Sequence, residues 1–167
     1  IDSYDFMTEV VKEYPMTRIF ADIGCYTLGA LPPYNAIHTT VDMGASVTMA
    51  KGAGDAGVHP AIAVIGDSTF GHSGITGLLD ACYENTPMVV LILDNDTTAM
   101  TGTQDSIVAN GVLDKVVAGC GVDPDHIRVL TALPKHHEEN MAIFKEEIEY
   151  QGISVIISRR PCVQIRR

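Results

Sequence analysis

The residues best placed to do chemistry stand in two short polar breaks, each at the end of an apolar run. Ala61 to Ile65 stops at Gly66-Asp67-Ser68, and Met88 to Leu93 stops at Asp94-Asn95-Asp96-Thr97. The Asp67 carboxylate, the Asn95 side-chain amide and the Thr97 main-chain carbonyl are hard oxygen donors. Such a set suits Mg²⁺, which keeps places for water and for the phosphate oxygens of a ligand. Gly66 lets the backbone turn sharply and approach that ligand. Ser68 and Thr69 bring hydroxyls that can donate to phosphate, and a helix start near His72-Ser73 adds N–H groups at a positive dipole end. Taken alone, Gly-Asp-Ser reads more readily as an ordinary strand-to-helix turn with a capping side chain. Two matched breaks on adjacent strands shift the balance toward a Mg²⁺-diphosphate site.

The elements that position these breaks follow from the pattern around them. Both runs are short, rich in Val and Ile and bounded by turn residues, as buried strands of a parallel sheet are. A right-handed strand-helix-strand crossover brings both strand ends to one edge, where open α/β folds bind ligands. Upstream, Asp2-Ser3 and the following YDFMTEVVKEY read as a capped amphipathic helix with Phe6, Val10 and Val11 inward. Arg18 to Asp22 is a short strand ending in the turn Ile23-Gly24-Cys25-Tyr26 at the same edge. Leu31-Pro32-Pro33-Tyr34 is a loop, Ile37 to Asp42 an edge strand or extended segment, and Met43-Gly44-Ala45-Ser46 opens a helix to about Gly57.

Downstream, Thr97 to Ala109 is polar and too irregular for a strand; it reads as a loop over the ligand, ordered by it. A helix over Gly111 to Gly119 and a strand over His126 to Leu130 follow. The helix Pro134 to Tyr150, with Met141, Ile143, Phe144 and Ile148 inward, leads to a last strand, Ile153 to Ser158. The expectation is an α/β fold: a doubly wound, mostly parallel sheet of about six strands with helices on both faces. Residues 1–167 read as a single domain.

Composition narrows the function classes. A net charge of −10 gives no basic face for nucleic acid or anionic membranes. No apolar stretch approaches the ~20 residues of a membrane span. No signal peptide is evident, which makes the cytoplasm the default, and a start at Ile1 suggests a fragment or a processed piece. Cys25, Cys82, Cys120 and Cys162 lie far apart, without the CxxC spacing of zinc or iron–sulfur sites. Cys82 and Cys120 sit in apolar helical surroundings and read as small core residues.

Gly66-Asp67-Ser68, then residues 69–94, then Asn95, resembles the diphosphate-binding motif of thiamine diphosphate (ThDP) enzymes, usually Gly-Asp-Gly in front and Asn-Asn behind. Ser68 and Asp94 depart from that pattern, and both departures are similar to the 2-oxoacid:ferredoxin oxidoreductases. The wording GDSTF, HSGI, ILDN, TTAMTG, DIGCYTLG, LPP and SRRPC resembles one branch of that family, the large (alpha) subunit of the indolepyruvate-specific enzymes. The resemblance covers nearly all 167 residues and corresponds to the diphosphate-binding (PP) domain of a much longer subunit.

The resemblance implies ThDP with Mg²⁺ on Asp67, Asn95 and the Thr97 carbonyl, Asp94 pointing elsewhere, and Ser68 and Thr69 on the diphosphate. It implies that Gly66 approaches the diphosphate, that Cys25 and Tyr26 lie near the thiazolium, and that Gly44 and Ser46 form a ring-contacting turn. Thr98-Ala99-Met100-Thr101 would run under the thiazolium. Cys25 reads equally well as a buried small hydrophobe. His72, a general acid–base candidate, reads more readily as a cap or a solvent-facing residue, and His136-His137 as a solvated face. Arg159-Arg160-Pro161-Cys162 would exit toward a separate segment carrying 4Fe–4S clusters.

The implied activity is oxidative decarboxylation of a 2-oxoacid, an aryl pyruvate such as indolepyruvate, to acyl-CoA, with coenzyme A and ferredoxin as partners. The activating glutamate belongs to a pyrimidine-binding domain or subunit and has no candidate here, so the chain alone is expected to be inactive. An oligomer is expected, with the face around Cys25, Met43 and Met100 covered by a partner. Alternatives are a pyruvate or 2-oxoglutarate oxidoreductase, a non-oxidative decarboxylase, and a non-catalytic nucleotide-binding module. The last is disfavoured because no GxGxxG follows the first strand and Gly66-Asp67-Ser68 is not a P-loop.

Overall fold

In a computed structural model, which describes residues 2–162, the apolar runs become the strands of one sheet. The chain runs through α1 (Asp2–Val11), β1 (Arg18–Ala21), a 3-10 turn (Cys25–Ala30), β2 (Thr39–Thr40), α2 (Ala45–Asp55), β3 (Ala61–Gly66) and α3 (Asp67–Thr69). A π-helical turn, Phe70–Gly74, continues α3 into α4 (Ile75–Glu84), and β4 (Met88–Asp94) follows. A small hairpin of β5 (Thr97–Thr98) and β6 (Gln104–Asp105) precedes α5 (Val112–Gly119) and β7 (Ile127–Thr131). The chain then forms α6 (His137–Glu149) and β8 (Ile153–Arg159).

The sheet order is β2-β1-β3-β4-β8-β7, and every pairing within it is parallel. The fold is therefore the expected doubly wound α/β sheet. Strand alternation divides the core into two. Ala63, Ile65, Val90 and Ile92 face Val47, Leu78, Leu113 and Val117 of α2, α4 and α5. Ile62, Val64, Val89 and Leu91 face Phe6, Met7, Phe144 and Ile148 of α1 and α6. Phe6 and Phe144 meet edge to face at 5.7 Å, joining the two helices of that layer. Such a pair contributes ~0.5–1.5 kcal/mol beyond its area burial.

Several local expectations are corrected. Helical backbone begins at Asp67, not near His72-Ser73, and runs on through the π turn. The Gly and Ser content of residues 66–74 resembles a loop, yet packing overrides propensity there: a Cβ on Gly74 would lie 2.8 Å from the Phe70 ring and 3.0 Å from Ile65. Residues 97–109 are not strandless: β5 and β6 pair antiparallel, and the Thr97 hydroxyl donates to the Gln104 carbonyl at 2.9 Å. Positive φ values at Gly102 and Thr103 make that tight reversal possible.

At the N-terminus, Ser3 lies inside α1, and its hydroxyl pairs with Ser158 at 2.8 Å instead of capping; the Asp2 side chain is outside the described set. Val11 is half-buried, whereas Phe6 and Val10 are buried as read. Met141 and Ile143 are likewise only partly buried, beside the fully buried Phe144 and Ile148. Cys120 lies in the core with Cys82 against it, as expected. Among the described residues, no helix is long and apolar enough to cross a membrane.

Candidate functional site

The C-terminal ends of β1, β3 and β4 meet at one edge because the three strands are adjacent and parallel. Gly66 pairs with Leu93, so Asp67 follows directly beyond the last matched rung and Asn95 follows one residue further along, after Asp94. An open cleft of about 290 Å³ lies above these ends. Cys25, Tyr26, Gly66, Asp67, Ser68, Thr69, Asn95, Thr97, Ala99, Met100 and Thr101 all line it, joined by Ile23, Gly24, Met43, Leu93 and Thr98.

Asp67 is the electrostatic centre of the cleft. It is 2 % exposed, and its Oδ2 is buried without a hydrogen-bond partner. Burial pushes its carboxyl up to about 6; the Asp94 charge adds to this, while the Ser106 hydroxyl and the N–H groups of Ser68 and Asn95 oppose it. A buried carboxylate oxygen with no donor is costly unless a cation meets it. Asn95 Oδ1 accepts the Thr97 N–H at 3.1 Å, which curls the chain so that Asn95 and Thr97 both border the cleft. No group of three His, Cys, Asp or Glu side chains able to hold a metal ion occurs among the described residues. A divalent ion here would thus rest on one carboxylate, neutral oxygens and ligand oxygens, which is the donor balance Mg²⁺ accepts.

Asp94 turns away, as read. Its Oδ2 accepts from Arg159 Nε at 2.7 Å, and the same guanidinium reaches Asp114 at 2.9 Å. Arg159 is thereby a tie between β4, β8 and α5. Ser68 and Thr98 hydroxyls pair at 2.7 Å, pinning the hairpin to the first turn of α3.

Cys25 is exposed at the cleft, so the buried-hydrophobe alternative does not hold. Tyr26 is 9 % exposed, and its ring lies against Gly66, where a Cβ would approach Cε1 to 2.9 Å. Gly44 and Ser46 do not line the cleft. The Gly44 N–H and the Ser46 hydroxyl both donate to Asp22 Oδ2, at 2.9 and 2.8 Å. They brace the wall from behind. His72 is also off the cleft, exposed, with Nδ1 3.0 Å from the Ser73 hydroxyl, so it faces solvent. His136 and His137 pair at the surface with Glu139 and Glu9.

Two residues of this region carried no sequence signal. Asp22, fully buried, reads as an ordinary strand-end residue until its partners appear from distant segments. Ser106, 6 % exposed, comes from the loop after β6 and brings its hydroxyl beside the Asp67 carboxyl.

Residues 22–158 match the family model described as thiamine pyrophosphate enzyme, C-terminal TPP binding domain. Indolepyruvate oxidoreductase subunit IorA of Archaeoglobus fulgidus is 35 % identical over 170 residues, covering 96 % of this chain and 27 % of that protein. The Pyrococcus abyssi protein of the same name is 34 % identical over 169 residues, covering 87 % and 26 %. The chain thus spans about a quarter of the length of the curated relatives it matches.

Among solved structures, 2-oxoglutarate:ferredoxin oxidoreductase from Magnetococcus marinus aligns with a TM-score of 0.78 over 99 % of this chain and 62 % of that one, at 13 % identity. The thiamine diphosphate-dependent 4-hydroxybenzoylformate decarboxylase of Rhodococcus jostii RHA1 aligns with a TM-score of 0.68, covering 96 % and 33 %, at 20 % identity. These two share the fold. With the family match spanning every residue that lines the cleft, the chain belongs to the thiamine pyrophosphate enzymes, as their C-terminal thiamine pyrophosphate-binding domain.

Proposed function

We propose that this domain holds the diphosphate of ThDP through Mg²⁺ bound by Asp67, Asn95 and the Thr97 carbonyl, within an enzyme that oxidatively decarboxylates 2-oxoacids. The observation that carries the reading is the buried Asp67 carboxyl, whose Oδ2 has no hydrogen-bond partner, in the wall of a cleft whose other polar groups are neutral. Supporting it, the curated relatives are named as indolepyruvate oxidoreductase subunits. The substrate assigned is accordingly an aryl pyruvate such as indolepyruvate, with coenzyme A as acyl acceptor and ferredoxin as electron acceptor. Iron–sulfur clusters would lie on another segment, since no metal-holding cluster of side chains occurs among the described residues.

When bound, ThDP supplies a carbon nucleophile and an electron sink for cleaving the bond between a carboxylate and a keto carbon. The chain's own residues do the rest of the work assigned here. Asp67 supplies the one negative charge for the cation, and Asn95 and Thr97 supply neutral oxygens. Ser68 and Thr69, at the start of α3, direct hydroxyls and helix N–H groups at the diphosphate. The Tyr26 ring packs against Gly66 in the wall, and Met43 and Met100 give the mouth an apolar, deformable lining.

Calorimetric titration with ThDP, with and without Mg²⁺, tests the cofactor assignment beside Asp67→Ala. Binding that requires Mg²⁺ and disappears in Asp67→Ala is the expected result. A chain that takes a mononucleotide but not ThDP would sink the reading. Ferredoxin reduction by the assembled enzyme, compared on indolepyruvate, pyruvate and 2-oxoglutarate, then tests the substrate.

A further inference from the structure

Four carboxylates are buried among the described residues: Asp22, Asp67, Asp94 and Glu147. Asp94 is paired with Arg159, Glu147 with Arg128 and His126, and Asp67 faces the cleft. Asp22 differs from all three. It is fully buried, it does not line the cleft, and every partner it has is a neutral donor. Its Oδ1 accepts the Tyr26 hydroxyl; its Oδ2 accepts the Gly44 N–H and the Ser46 hydroxyl. Its main-chain carbonyl accepts the Thr27 and Thr40 hydroxyls, each at 3.0 Å.

The carboxylate thus reaches the 3-10 turn and the start of α2, while the main-chain carbonyl of the same residue reaches the 3-10 turn and β2. The cleft-facing residues Cys25 and Tyr26 ride on the 3-10 turn, and Met43 adjoins the start of α2. The Gly44 turn has no freedom on its other side. Its φ is +91°, a Cβ there would sit 2.5 Å from the Ser73 carbonyl oxygen, and the Ser73 hydroxyl donates to the Met43 carbonyl at 2.8 Å. Leaving a buried carboxylate without a cation is expensive, and only a complete set of donors offsets that cost.

We infer that Asp22 is a positioning residue for the cofactor cleft, clamping the Cys25–Tyr26 wall to the Met43–Ser46 turn so that the cleft is shaped before any ligand arrives. This rests on the proposed function for its meaning, but the clamp itself can be read without a cofactor. Preorganisation of this kind raises affinity by removing the ordering cost from the binding step.

The test uses the full chain as wild type, Asp22→Asn, Tyr26→Phe and Glu147→Gln, the last being a buried carboxylate far from the cleft. Asp22→Asn keeps the side-chain shape and one acceptor oxygen. Tyr26→Phe removes only the hydroxyl that Asp22 holds, and serves where Asp22→Asn does not fold. The first readout is amide hydrogen exchange without cofactor, resolved by peptide mass spectrometry. Residues 23–30 and 43–48 should exchange several-fold faster in Asp22→Asn and Tyr26→Phe, with β8 unchanged, and at the wild-type rate in Glu147→Gln. Unchanged exchange of both segments in both cleft variants overturns the clamp, as does faster exchange of the whole chain together. The second readout is ThDP affinity with Mg²⁺, expected to fall about tenfold in Asp22→Asn and to stay unchanged in Glu147→Gln. Failure of the wild type to bind ThDP would count against the proposed function, while the exchange rates would still decide the clamp.

Discussion

Gly66 pairs in register with Leu93, and this rung brings Asp67, the next residue of one strand, to the end of β4, where Asn95 follows one residue after Asp94. Neither residue is near the other in sequence. The parallel pairing makes them one site, and Asp67 enters it with an oxygen that no protein donor reaches.

That unpartnered oxygen makes the metal-free chain pH-sensitive in a defined direction. The native carboxyl titrates at about 6 against an ordinary 3.8, so the folded chain holds an extra proton between those values. Stability should fall as pH rises through that window, by on the order of 2–3 kcal/mol. Asp67→Asn should flatten this slope and be the more stable chain above the window, while losing Mg²⁺-dependent ThDP binding. Calorimetric melting of both proteins across the window checks the sign.

Gly66→Ala should damage the cleft without touching a polar group. The added methyl would lie 2.9 Å from Tyr26 Cε1, and the ring cannot retreat freely while Asp22 holds its hydroxyl. A cost of about 1–3 kcal/mol in stability is expected, as for other overpacked sites. ThDP affinity should drop as well, and Tyr26→Leu in the same chain should restore part of the stability. A melt and a titration on the two variants separate these effects.

The opposite end of the sheet should behave independently. Glu147, with a fully buried side chain, accepts from Arg128 and pairs with His126, each at 2.9 Å. Glu147→Ala should destabilise the chain by about 1–3 kcal/mol, less than a wholly buried pair because both partners are partly exposed. Its ThDP affinity should equal that of wild type. Denaturant unfolding alongside titration checks both statements.

The hairpin over the cleft should respond to ligand. Met100 and the stretch Thr101 to Gln104 are exposed, and the hydroxyl pair Ser68–Thr98 ties this hairpin to α3. Protease cleavage within residues 99–105 should slow on adding ThDP with Mg²⁺. Ser68→Ala should speed it several-fold in the ligand-free chain, as expected when about 1 kcal/mol of local hydrogen bonding is lost.

The sequence by itself determined the central strands, because strands buried on both faces are predominantly apolar. Ala61 to Ile65, Met88 to Leu93 and Ile153 to Ser158 could hardly be anything else between their turn residues. It also determined where chemistry should be sought, since Gly66-Asp67-Ser68 and Asn95 are local signals at the ends of those runs. Tertiary structure decided which neighbouring residues belong to the cleft. Gly44 and Ser46 withdraw behind the wall because Asp22 captures their donors, and His72 turns outward because its helix begins five residues earlier, at Asp67. Asp22 acquires its meaning only from partners as distant as Ser46, and Ser106 only from the closing of the loop after β6. Periodicity and turn chemistry act between near neighbours and so can be read along the chain; hydrogen bonds to a buried carboxylate depend on which segments the fold brings together.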